Sequence, residues 1–331
     1  MSEPKRIKID INDKIDPEVR CRNEGADYLA KVNARPVDAR IEYNDEDHLY
    51  WYDGVLAPIS ATTAIKKAFD PNDEFDPDEA IDKWFGYWVK SGPKNEHYQL
   101  LKQYTDGIIT KVEASEAIKA KWSTAGPFGT EMHRLIEIFM NEQAMPKQPE
   151  GGTVADRFPT DLTKEVVVEF KQFCDWWKEW AAPRGMVPYR TELSVVWIGK
   201  EGRFVCAGQI DGVLKDKDGN YWIFDWKRVK PKKLLTIFEK AWKNARAYMF
   251  PDIPATDFHK YSFQASMYSV MMNHSHGIDA GNRLRVVRMH SEIGEAQFIE
   301  CVDYRKEAVM LLQSLEEDQI LAAAQASEDT S

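Results

Sequence analysis

Asp211, Asp225 and Lys227 are residue types that work on phosphate esters: two carboxylates able to converge on a hard divalent cation, with a lysine beside them. They lie in FVCAGQIDGVLKDKDGNYWIFDWKR, residues 204–228, which reads as two strands joined by a tight turn. The turn decides whether they meet. A two-residue turn at Asp218-Gly219 sets Asp211 opposite Trp226 and puts the two aspartates on opposite faces. A three-residue loop, Lys217-Asp218-Gly219 with Gly219 left-handed in a bulge, sets Asp211 opposite Asp225. The second register is adopted here, and it makes the hairpin a candidate metal-dependent phosphodiesterase site. A Lys-Asp-Gly hairpin with scattered charges is also a common surface feature, so other segments must carry the reading.

Several elements could position this hairpin. Residues 126–140, GPFGTEMHRLIEIFM, open a helix on which His133 and Glu137, four apart, share a face, while Leu135, Ile136 and Phe139 supply an apolar side. A helical His and Glu are commonly a surface pair, and without an HExxH motif a zincin is not indicated. Residues 192–198 alternate as a strand and make the hairpin a three-strand meander. YSFQASMYSVMM, residues 261–272, is amphipathic and places Gln264 and Tyr268 on one face. Strands are expected at about 283–290 and 296–302, before a final helix that fades into a polar tail.

Upstream, RIEYNDEDHLYWYDGV at 40–55 reads as a hairpin, and Ser60-Ala-Thr-Thr63 caps a short helix. Helical stretches follow at about 77–90, 95–105 and 111–122, bearing Trp84, Phe85, Tyr87, Trp88, Tyr98, Tyr104 and Trp122. Such a cluster could stack exposed bases, although aromatics at this spacing are more often core. Residues 144–160 read as a loop and 161–182 as an amphipathic helix.

Lys and Arg total 44 against 54 Asp and Glu, so no global charge attracts nucleic acid and any such contact needs a local patch. One exists. From Lys227 to Arg246 stand Lys227, Arg228, Lys230, Lys232, Lys233, Lys240, Lys243 and Arg246 against the single Glu239. A basic run is usually a solvated face, but this one abuts the proposed metal site, where a phosphate backbone would need neutralising. No apolar run reaches the ~18 residues of a membrane span, and the first residues lack a secretory or transit pattern, so an intracellular, soluble protein is expected. Cys21, Cys174, Cys206 and Cys301 show no CxxC spacing, which argues against structural zinc and a disulfide framework.

Taken in order, GTxxHxxxE at 129–137, GxxD at 208–211, DWK at 225–227 and QxxxY at 264–268 resemble the RecB-like branch of the PD-(D/E)XK nucleases. The resemblance covers residues 40–312, because the 40–54 and 59–69 segments also resemble stand-alone viral and phage exonucleases of that branch. It implies that His133, Asp211, Asp225 and the Trp226 carbonyl ligate Mg²⁺ or Mn²⁺. By the same resemblance Glu137 holds a bound water or second ion, Lys227 orients the attacking water, and Gln264 and Tyr268 position the site or the strand. Iron-sulfur members need one cysteine before the core and three after it. Only Cys21 precedes and only Cys301 follows the last motif, so no cluster is expected.

The fold expected is α/β: a PD-(D/E)XK, restriction-endonuclease-like core whose central mixed sheet is flanked by helices, with a helical N-terminal lobe forming one wall of the groove. The corresponding segments are a flexible arm at 1–38, a hairpin and helical lobe at 39–123, the nuclease core at 124–318 and a polar tail at 319–331. No P-loop of the GxxxxGK(S/T) form is present, so any unwinding would come from a separate helicase or recombination protein. A metal-dependent DNA exonuclease acting on exposed ends or single strands, in replication, recombination or repair, is the function this implies. An endonuclease on the same site, a nuclease-derived binding protein without turnover, and RNA as substrate stay open.

Overall fold

The computed structural model describes residues 26–44, 47–70, 81–82, 85–86, 89–94, 97–123, 125–231, 235–236 and 246–328. A short helix α1 (Tyr28–Val32) is followed by a small antiparallel sheet of β1 (Ile41–Asn44), β2 (Leu49–Tyr52) and β3 (Val55–Leu56). Helices α2 (Ala61–Phe69), α3 (Tyr98–Thr105), α4 (Lys111–Ser123), α5 (Ala125–Ala144), α6 (Val154–Arg157) and α7 (Thr163–Trp176) precede the meander. That meander is β4 (Val187–Ile198), β5 (Phe204–Lys215) and β6 (Tyr221–Arg228). Then come α8 (Asp257–His276), β7 (Leu284–Met289), β8 (Gln297–Glu300) and α9 (Arg305–Glu328).

The five-stranded sheet runs β4-β5-β6-β7-β8, antiparallel except for the parallel pair β6/β7. A parallel pair cannot be joined by a hairpin, so the chain crosses over from β6 to β7 through α8. Helix α8 starts at Thr256, whose hydroxyl accepts the His259 N–H, and stops at Gly277, which takes φ +67°. On one side of the sheet α2, α8 and α9 close a core around Phe69, Ile210, Val213, Ile223 and Phe263. On the other, α5 and α7 close a core around Leu135, Phe173, Trp176, Phe224 and Trp226. Helix α5 builds its half with Met132, Leu135, Ile136 and Met140, the recurrence at three and four residues that makes one buried stripe. The chain is thus a mixed α/β protein with helices on both faces of its larger sheet.

The central hairpin takes the three-residue loop. Pairs Lys215–Tyr221 through Gly212–Phe224 set the register, the Asp216 N–H donates to the Asn220 carbonyl at 2.9 Å, and Gly219 has φ +86°. Asp216 locks the loop by accepting the Asp218 and Asn220 N–H groups at 3.0 and 2.9 Å.

Three expectations are corrected or narrowed. Of the first segment, which the sequence allows to be a loosely ordered arm or a short helix, residues 26–38 are docked and include the short helix α1: Leu29 is buried, its N–H donates to Asn141 Oδ1 at 2.8 Å, and Asp38 pairs with Arg190. The 144–160 loop contains the one-turn helix α6, started by a reciprocal cap between Thr153 and Asp156 that the TVAD sequence spells out. The tail expected from 319 is helical through Glu328, because ILAAAQASE is rich in strong helix formers that need no buried face to stay helical.

Gly212 on β5 packs against the Trp226 ring of β6. A Cβ there would lie 2.7 Å from Cζ2 of the Trp226 ring, which is itself only 1% exposed and cannot swing away. Gly212→Ala is therefore expected to destabilise the protein by about 1–3 kcal/mol, measured by urea unfolding, as over-packing of a rigid core does.

Candidate functional site

The site is built where β5 and β6 part. Ladder pairing ends at Gly212–Phe224, and the next residues in that register are Asp211 and Asp225. Beyond this point the two strands are bridged by a side chain: Asp211 Oδ2 accepts the Trp226 N–H at 2.9 Å. At the carbonyl of the same residue, His133 Nε2 lies 2.7 Å from the Trp226 oxygen. The Trp226 indole is packed between Phe173, Trp176 and Phe224, so its backbone N–H and C=O are presented at a fixed place.

Glu192 completes the cluster from the neighbouring strand. Thr191 pairs with Gly212 and Leu193 with Ile210, which leaves Glu192 across from Asp211. His133 Nδ1 is 3.8 Å from Asp211 Oδ2 and 3.9 Å from Glu192 Oε1, and one ligand atom from each of the three residues lies within 4.8 Å of the others. Glu192 holds φ +45°, a left-handed conformation that costs a side-chain-bearing residue about 1 kcal/mol or more. Its carbonyl is tied down by Gln209 Nε2 at 2.9 Å. From Arg190 to Trp197 the strand keeps one register, bounded by shifts between Pro188 and Arg190 and between Trp197 and Ile198, and that register brings Glu192 into line with Asp211.

Asp225 and Lys227 stand beside that trio as a pair. Lys227 Nζ donates to Asp225 Oδ1 at 2.7 Å and lies 5.4 Å from the centre of the Tyr261 ring. Asp225 is 4% exposed, and its second oxygen, Oδ2, is buried with no hydrogen-bond partner among the described residues. On α8, Gln264 Nε2 donates to the Tyr268 hydroxyl at 3.0 Å, and the Tyr268 ring packs so closely on β5 that a Cβ at Gly208 would come within 2.7 Å of it.

Crowded charges move each other's proton affinity. Burial opposes charging His133, but Asp211 and Glu192 outweigh it and raise the imidazole to about 9. Burial lifts Asp225 to about 6, with Lys227 holding it down and Asp211 adding to the rise. Burial also raises Asp211, against the opposing pull of His133 and Lys227. For Lys227, burial is outweighed by Asp225 and Asp211, so it stays a cation well above the ordinary lysine range. Burial and the Asp211 charge push Tyr268 up to about 12, which keeps its hydroxyl protonated.

The other candidates fall in different places. Glu137 is buried one turn beyond His133, so the pair is not an exposed one. Arg228 is committed internally: its Nε donates to Glu169 Oε1 at 2.8 Å and its guanidinium lies over the Phe128 ring. Lys230 and Arg246 are exposed, and Arg246 Nη1 reaches the Asp252 carbonyl at 3.4 Å. Lys232, Lys233, Lys240 and Lys243 lie outside the described residues, as do Trp84, Tyr87 and Trp88. Phe85 and Tyr104 pack edge to face at 6.0 Å in a small core with Leu101 and Ile118. Glu192 escaped the sequence reading. Facing strands 187–198 and 204–215 evenly across the GKEGR connection sets Ile198 opposite Phe204 and Glu192 opposite Ile210; the register shift between Trp197 and Ile198 is what moves Glu192 opposite Asp211.

No family model and no curated protein matches this chain. Among solved structures, one described as the crystal structure of SSO0001 aligns with 12% identity and a TM-score of 0.27, over 51% of this chain and 64% of its own length. The chain thus spans just under two thirds of that protein, and a likeness this slight carries no argument.

His133, Glu192 and Asp211, with the open oxygen of Asp225, offer an oxygen-rich set with one imidazole, which could hold Mg²⁺ or Mn²⁺. A strained residue at a candidate ligand position should trade stability for function. Glu192→Gly relieves the positive φ and removes one of the clustered carboxylates. In thermal unfolding without added metal the variant is expected to melt no lower than the parent, while losing at least half of any melting-temperature rise that Mn²⁺ produces.

Proposed function

We propose that the protein is a divalent-metal-dependent DNA nuclease with a PD-(D/E)XK-type core, acting as an exonuclease on exposed ends or single strands in replication, recombination or repair. The observation that carries this reading is the convergence of His133, Glu192 and Asp211 next to the Asp225–Lys227 pair at the opening of one strand pair. Buried like charges with an unpartnered carboxylate oxygen cost stability, so a purely structural role is a poor account of them. His133, Glu192, Asp211 and Asp225 would hold Mg²⁺ or Mn²⁺, with the Trp226 carbonyl as a further donor. When bound, such an ion polarises a phosphoryl oxygen and makes water a stronger nucleophile.

The chain's own groups account for the rest. Lys227 is a cation at neutral pH, so it stabilises negative charge building on the phosphate instead of acting as a base. Tyr268 accepts from Gln264 and retains its proton, which leaves its O–H to donate toward the strand. A basic run following Lys227 supplies phosphate neutralisation, and a separate helicase or recombination protein would provide exposed strands.

The direct test is cleavage of end-labelled linear and covalently closed circular DNA, single- and double-stranded, with Mg²⁺, Mn²⁺ or EDTA. Metal-dependent loss of linear DNA alone, reduced at least 100-fold by Lys227→Ala, is expected. Cutting of circles would replace the exonuclease by an endonuclease, and binding without cleavage would replace both by a non-catalytic DNA-binding protein.

Proton competition gives a second test. A ligating imidazole must be neutral, and His133 holds its proton up to about 9. Mn²⁺ affinity measured by calorimetry should therefore rise about tenfold per pH unit between pH 7 and 8.5 and level off above 9. His133→Gln should bind more weakly and lose that slope.

A further inference from the structure

Glu169 is a fully buried carboxylate on α7 with no part in the cluster described above. Its Oε1 accepts from Arg228 Nε at 2.8 Å and from the Ser291 N–H at 3.0 Å, while Oε2 has no hydrogen-bond partner among the described residues. Arg228 directly follows Lys227, and its guanidinium lies 5.3 Å from the centre of the Phe128 ring, on the helix that carries His133. The loop after β7 does not need Glu169 to hold it. Gln172, one turn on, already donates to the His290 and Ile293 carbonyls at 3.0 and 2.5 Å and accepts the His290 N–H at 3.1 Å.

A buried ion pair is a weak stabilising device, since desolvation consumes most of the attraction, and its best-attested use is to specify position. Here the position specified is that of β6. Trp226 and Arg228 alternate with Lys227 along the strand, so they leave on the face opposite to it. Trp226 is anchored by packing and Arg228 by Glu169, on either side of Lys227. With both neighbours pinned, Lys227 has one direction in which to project, toward Asp225 and Tyr261.

We propose that Glu169 is a positioning residue which, through Arg228, holds Lys227 in its working orientation. The proposal rests on the nuclease reading for its catalytic consequence, but its structural half can be read without turnover. Amine acetylation of the native protein, followed by mass spectrometry at single-lysine resolution, reports how tightly Lys227 is held. Glu169→Gln, which keeps the side-chain volume and an acceptor for Ser291, should raise Lys227 labelling about tenfold at a melting temperature within 2 °C of the parent, with exposed lysines such as Lys217 unchanged. On DNA the same variant should lower kcat about tenfold at unchanged KM, and should have no further effect in a Lys227→Ala background. Glu169→Leu with Arg228→Met removes both charges together. It should recover any stability lost by either single change, yet leave Lys227 labelling high.

Unchanged Lys227 labelling in Glu169→Gln overturns the proposal, as does labelling that returns to the parent level once the double variant restores stability. A parent protein that cleaves no DNA, yet shows the labelling change, overturns the nuclease reading and keeps the clamp.

Discussion

The site depends on the backbone of one residue being held still. The backbone of Trp226 gives its N–H to Asp211 and meets the imidazole of His133 at its carbonyl, so one residue joins a strand carboxylate to a helix histidine. Besides those contacts and the ladder to β7, the indole fixes that backbone, wedged among aromatic rings and against the bare backbone of Gly212. Apolar packing of the indole thereby sets the geometry of the polar groups where the strands part. Because protein interiors are packed at near-crystalline density, a small displacement of the ring has no empty space to absorb it, and it passes to the backbone groups that His133 and Asp211 use.

Around that residue the charges are arranged at a cost. Glu192, Asp211 and Asp225 follow one another across three neighbouring strands, and like charges so placed repel. Relief comes from His133 and Lys227, which are both drawn toward their cationic forms, and the balance leaves one oxygen of Asp225 without a hydrogen-bond partner among the described residues. Glu192 adds backbone strain to this electrostatic load. A fold selected for stability alone would have replaced these groups by apolar ones. Their coexistence at the point where a ladder opens is a property of sites that bind or transform charged ligands.

Much of this was legible in the sequence, and the limits follow from the kind of signal. The hairpin register was readable because loop length and Gly219 are local, and side-chain period converts them into the pairing of Asp211 with Asp225. His133, Gln264 and Tyr268 were readable as helix-face residues by periodicity. Glu192 was not, because its alignment needs a register shift between Trp197 and Ile198 and a positive φ, neither of which any residue type there announces. Arg228 was read as one cation of a basic run. Its partner Glu169 lies 59 positions earlier, and a pairing across that distance leaves no trace in local pattern. Docking of Leu29 against α5 was hidden in the same way, as one apolar residue in a charged stretch.

Topology explains why the basic run stands where it does. The parallel pairing of β6 with β7 obliges the chain to leave the sheet just beyond Lys227 and to travel the length of a crossover before returning at Leu284. That departure point is anchored with unusual care: buried Arg288 donates to the carbonyls of Val229 and Lys230, and Glu169 holds Arg228. Cations placed early in the crossover therefore start from a fixed origin beside Asp225 and Lys227, whatever path they take afterwards. In sequence, the positive charge of this run stands out against a net charge of -10 for the whole protein. On the proposed nuclease reading, the acidic balance elsewhere would oppose non-specific adhesion of a polyanion to the remaining surface, so that a phosphate backbone would be favoured only where the strand opens.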